Sequence, residues 1–140
     1  MRSIGKKYFK VTECIFNRTV HVLLNYSDAD YEEWIKRIGA ELGHDSSYDN
    51  FSGWSVEMSI KGRQSEWIIV LKDFDWTIRD QGTLIHEIVH TVVKIWDMNH
   101  IPLDLASQEF LAHSIGNLYE DIAAKLLRID RARSGKNGKK

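Results

Sequence analysis

Thr83-Leu84-Ile85-His86-Glu87-Ile88-Val89-His90-Thr91-Val92-Val93-Lys94-Ile95-Trp96 is the stretch on which the reading of this chain turns. Its apolar residues, Leu84, Ile85, Ile88, Val89, Val92, Val93, Ile95 and Trp96, fill one half of a helical wheel. Thr83, His86, Glu87, His90, Thr91 and Lys94 fill the other half, and Asp97 continues it. The spacing predicts an amphipathic helix with a polar arc that contains H-E-x-x-H. Histidines four apart on a helix project about 40° from each other, one turn above the other. Their imidazoles can meet on one ion, and Glu87 stands beside the first of them. That is the pattern of a zinc site whose carboxylate serves as general base. The competing reading is a solvated helix face that carries two histidines by accident.

The remaining composition sets bounds on what surrounds the helix. The 140 residues suit one domain with one proper core, and 43% hydrophobic content with five tryptophans places the chain among globular proteins. A formal net charge of −1 favours neither nucleic acid nor an acidic membrane surface. The one cysteine, Cys14, has no partner for an internal disulfide, which fits a reducing compartment. Met1 to Lys7 is basic, but no apolar stretch of signal-peptide length follows it, and no apolar run approaches ~20 residues. The expectation is a cytoplasmic protein with no membrane span.

Upstream of the motif the pattern alternates between strand and helix signals. Tyr8 to Tyr26 is rich in β-branched and aromatic residues and reads as one or two strands around Asn17-Arg18, with Thr19 to Asn25 the firmer one. Asp30 and Glu33 stand at capping-box spacing. Tyr31, Trp34, Ile35, Ile38 and Leu42 then mark an amphipathic helix ending near Gly43. His44 to Gly53 is polar and turn-prone, a surface loop whose His44, Asp45 and Asp49 are minor metal candidates. Trp54 to Ile60 and Glu66 to Phe74, joined by Lys61-Gly62-Arg63-Gln64, read as a hairpin. Trp67 to Leu71 is continuously apolar. Such a strand is either an ordinary central strand or one that lines the active-site cleft and pairs with an extended peptide.

Asp80 is the expected N-cap of the motif helix, which breaks at Met98 to Pro102. A last helix is expected to begin between Asp104 and Ser107 and to run to about Ile129. Leu111, Ile115, Leu118, Ile122, Leu126 and Ile129 form its apolar stripe. Beside that stripe lies a second one, of Glu109, His113, Gly116 and Glu120. No internal repeat or linker interrupts the chain. The expected organisation is one domain over residues 1–130 and a basic, disordered tail over residues 131–140.

A catalytic zinc takes three protein ligands and leaves one position for water. His86 and His90 supply two. Val93 and Trp96 stand where a metzincin has glycine and histidine, so that class is excluded. Asp97 lies about two turns beyond His90 on the same helix and cannot bend back. His100, Glu109 and His113 stay open, with Glu109 favoured because a reversing loop can return its helix to the ion.

His86-Glu87-Ile88-Val89-His90, followed by eighteen residues and Glu109, resembles the gluzincin metallopeptidases. Gln108-Glu109-Phe110-Leu111-Ala112 is similar to their glutamate helix. The likeness spans roughly Trp67 to Tyr119 and is strongest to small single-domain members of bacteria and their phages. It implies a zincin-like α+β domain with a short sheet packed on about three helices. It implies Zn2+ held by His86, His90 and Glu109, with Glu87 as the general base. The chain departs from the family at His113, which stands where many members carry an aspartate. His113 is either an outer group that orients a ligand or an alternative ligand.

The implied activity is hydrolysis of peptide bonds in a protein or peptide substrate by metal-activated water, with no nucleic acid and no membrane as partner. Tyr119, His100 and His113 are candidate oxyanion stabilisers. The rival reading is a zinc-containing binding or regulatory module without turnover, phage-encoded and directed at a host protein. A metallopeptidase-like regulator that cuts one repressor is a third.

Overall fold

The computed structural model describes residues 4–43 and 52–137, so His44, Asp45 and Asp49 lie outside the described residues. The chain runs β1 (Lys7–Glu13), β2 (Arg18–Leu24), α1 (Asp28–Ile38), β3 (Ala40–Leu42), β4 (Gly53–Ile60), β5 (Glu66–Leu71), α2 (Ile78–Met98) and α3 (Gln108–Asn137). The strands form one mixed sheet in the order β1-β2-β5-β4-β3. β2 and β5 are parallel, with Val22 opposite Ile69, and the other neighbours are antiparallel. The molecule is therefore α+β.

Alternation along the central strands sends side chains to two cores. Val20, Val22 and Leu24 of β2 join Trp67, Ile69 and Leu71 of β5 against Leu84, Ile88, Val92 and Ile95 of α2 and Leu118, Ile122 and Leu126 of α3. Leu23, Ile68, Val70, Val56 and Met58 pack on the opposite face against Tyr31 and Trp34 of α1. β5 is buried from Trp67 to Leu71 because helices cover both of its faces. It is the central strand, paired on both sides, so its backbone groups are not free to take a peptide. That corrects the cleft-lining alternative for this strand.

The helix ends differ from expectation for local reasons. α1 is capped by Ser27, with Asp30 as the reciprocal partner, and stops at Gly39 in the left-handed conformation (φ 68°). Leu42 thus belongs to β3 and not to the helix. α2 is capped by Thr77, and Asp80 is the third residue of that capping box. The Asp80 carboxylate also accepts from the Asp75 N–H, 2.9 Å away. Asn25 at the end of β2 accepts from the Phe74 N–H at 2.6 Å and donates to the Phe74 carbonyl at 3.0 Å. The turn into α2 is thereby fixed to the sheet. α3 continues to Asn137, so residues 131–137 of the expected tail are helical. Among the described residues no helix is long and apolar enough to cross a membrane.

Candidate metal centre

α2 carries the motif along the boundary between the sheet and solvent. Leu84, Ile88, Val92 and Ile95 are fully buried and set the rotation of the helix. With that face inward, His86 and His90 are exposed, while Glu87 turns toward β4 and is buried. The Nε2 atoms of His86 and His90 are 3.0 Å apart, with ring centroids at 4.6 Å. Two imidazole nitrogens bound to one tetrahedral zinc at ~2.0–2.1 Å stand roughly 3.4 Å apart. The pair is close to chelating geometry, and one ring N–H donates to the other ring.

β4 forms the second wall. A Cβ at Gly53 would meet Thr83 Cγ2 at 2.6 Å and Glu87 Cγ at 3.0 Å, so only glycine lets the strand approach the helix here. Two residues on, Ser55 is buried and ties the strand to the helix twice. Its hydroxyl lies 2.8 Å from Thr91 Oγ1, and Thr91 Oγ1 donates to the Glu87 carbonyl at 2.8 Å. The Thr91 proton is committed to that carbonyl, so Ser55 is the donor to Thr91. The Ser55 carbonyl accepts from Lys94 Nζ at 2.7 Å. These bonds hold the backbone of Glu87 from behind. In front, Ser52, Gly53, Gly82, Thr83, His86 and Glu87 line an open cleft of about 320 Å³.

The electrostatics suit the chemistry. Burial pushes the Glu87 carboxyl up from its ordinary value, against the charges of His86 and Lys94, which pull it down. A carboxylate shifted that way is a better proton acceptor at neutral pH. Burial lowers the His90 imidazole, and the charges of His86 and Lys94 lower it further. His90 is thus kept in the neutral form that a metal requires.

The remaining sequence candidates stand elsewhere. Glu109 is exposed in the first turn of α3, and His113, one turn on, is exposed as well. Their neighbour Phe110 lines a separate apolar groove with Phe16, Trp96 and Ile101. Trp96 is six residues beyond His90, or about 9 Å along the helix. α3 therefore starts at the far end of α2 from the histidines. His100 is exposed just past the end of α2, with φ 58°. Tyr119 is half-buried and packs on the core. Among the described residues no three His, Cys, Asp or Glu side chains converge as a metal-holding group. The donor pair His86 and His90 fits two ligand positions of a zinc ion, and the structure does not bring Glu109 to join them.

Sequence reading missed the share taken by β4. Gly53 and Ser55 lie in a stretch read as loop end and strand, and nothing in their spacing relates them to residues thirty positions later. No protein-family model, no curated protein and no solved structure matches this chain.

Proposed function

We propose that this chain is a cytoplasmic zinc-dependent metallopeptidase with a zincin-like fold. One observation carries the reading: the Nε2 atoms of His86 and His90 converge to 3.0 Å beside the cleft that Glu87 lines. His86 and His90 would hold the ion, and Glu109 is assigned as third ligand by the gluzincin resemblance alone. Bound zinc would polarise a peptide carbonyl and lower the pKa of a water. Glu87 takes a proton from the attacking water and returns it to the leaving amine. Thr91 and Ser55 fix the backbone from which Glu87 works, and Gly53 leaves room for its side chain.

The test is metal analysis of the purified chain joined to hydrolysis of a peptide library. One zinc per chain and metal-dependent cleavage are expected, and Glu87→Gln keeps the zinc while cleavage falls by about 10²–10⁴. Full activity in that variant removes Glu87 from the mechanism. A second reading is favoured by the separation of Glu109 from the histidines. In it the chain is a zinc-containing binding or regulatory module, and zinc binds while no peptide is cut.

A further inference from the structure

His86 and His90 are exposed on α2, and their Nε2 atoms converge to 3.0 Å. Glu87 between them is buried and lies against Gly53 of β4, so it does not point where the two rings meet. Among the described residues no third metal-binding side chain joins the pair. Two imidazole nitrogens are half of the set that closes a tetrahedral zinc site. A second copy of the same pair supplies the other half, and a two-fold axis places it without any further residue.

The charges on the same line of α2 fit such an axis. Arg79 stands seven residues before His86, and Asp97 stands seven after His90. At about 100° per residue the two project at one angle, midway between the histidines. Both are exposed, and neither belongs to an ion pair among the described residues. When two copies of α2 lie antiparallel about a two-fold between the histidines, Arg79 of each comes level with Asp97 of the other. Two opposite-charge pairs then bracket the ion, one at each end. A parallel arrangement sets Arg79 against Arg79 and Asp97 against Asp97, so the charge pattern selects the antiparallel one. Val93, beside this line, comes level with Gly82 of the other copy, which has no side chain to hold it off.

We propose that zinc links two copies of this chain through His86 and His90 of each, in a four-imidazole site on the two-fold axis of an antiparallel α2 pair. The proposal rests on zinc binding by the histidine pair, as in the reading above, and not on turnover. Four protein ligands leave no position for water, so the linked dimer is the closed, inactive form. Dilution separates the copies, and excess zinc gives each pair its own ion. Either change returns an open position beside Glu87.

The test is a zinc titration of the full chain followed by analytical ultracentrifugation, with zinc measured in each species. A dimer that carries one zinc per two chains and disperses in EDTA is expected. His86→Ala and His90→Ala stay monomeric at the same zinc level. Arg79→Asp weakens the dimer about tenfold, through two lost ion pairs and two like-charge contacts, and adding Asp97→Arg restores it. A double variant no tighter than Arg79→Asp alone overturns the antiparallel pairing. A dimer that persists in EDTA belongs to another surface and overturns the bridge. Loss of the dimer in Glu109→Ala makes that carboxylate the ligand between copies and overturns the four-imidazole site. Zinc held at one per chain by a monomer at every protein concentration removes the bridge and leaves the peptidase standing. A zinc-linked dimer whose separated, zinc-loaded chains cut no peptide sinks the peptidase and leaves the bridge.

Discussion

The polar arc of α2 and the polar stripe at the start of α3 look equivalent on paper and are built differently. On α2, His86, Glu87, His90 and Lys94 occupy one continuous helix, so their mutual placement follows from 3.6 residues per turn. On α3, Glu109 and His113 share a face by the same rule, yet their relation to α2 depends on the connection at residues 99–107. The first arrangement yields two ring nitrogens 3.0 Å apart. The second leaves both side chains exposed at the Trp96 end of α2. Spacing within a helix transfers directly to geometry, and spacing across a loop does not.

The widest consequence of that contrast concerns metal affinity. His86→Ala or His90→Ala is expected to cost stoichiometric zinc, read by equilibrium dialysis. Glu109→Ala, if the third-ligand assignment holds, lowers affinity by well over tenfold, and His113→Ala by ~10–100-fold as an outer group does. Unchanged affinity in Glu109→Ala confines the centre to the arc of α2. A loss in His113→Ala that exceeds the loss in Glu109→Ala makes the histidine the ligand.

The arc can also be disturbed through the strand behind it. Gly53→Ala places a methyl 2.6 Å from Thr83 Cγ2, in a contact that must be relieved by moving β4 off α2. A loss of ~1–3 kcal/mol in unfolding free energy is expected, together with weaker turnover. Ser55→Ala removes the donor to Thr91 and leaves the Glu87 carbonyl bond intact, at a cost of about 1 kcal/mol. Wild-type stability in Gly53→Ala means that the close approach is not a constraint.

The smallest effect sharpens the comparison from the other side of the sheet. His21 is buried between Tyr8 and Trp34, with Tyr8 Oη 2.8 Å from Nδ1 and Glu66 Oε1 3.1 Å from Nε2. Burial lowers its pKa, and the positive charges of Lys10 and Arg63 act the same way, while the Glu66 carboxylate opposes them. The unfolded chain therefore takes up this proton more readily than the folded one. The contribution of His21 to stability is full above the unfolded value near ~6.5 and is lost as pH falls below it. Urea midpoints at neutral and mildly acidic pH should separate more in the wild type than in His21→Gln. Equal separations would assign the acid sensitivity to other groups.

The sequence by itself determined the hairpin of β4 and β5, the strand character of Tyr8 to Tyr26, the α2 helix and the polar arc of it on which His86, Glu87, His90 and Lys94 lie. The period of 3.6 residues is a local property, and burial follows it at Leu84, Ile88, Val92 and Ile95, whereas packing against β4 buries Glu87 and Thr91 of the polar arc and the apolar Ile85 and Val89 stay exposed. Capping chemistry was legible only in part, because Ser27 and Thr77 compete with neighbouring carboxylates that serve as their reciprocal partners. Only the tertiary structure decided that β5 is interior, that Gly53 and Ser55 back Glu87, and that Glu109 stands away from the histidines. Each of those depends on contacts between residues far apart in the chain, set by packing and loop closure, for which a single sequence carries no periodic signal.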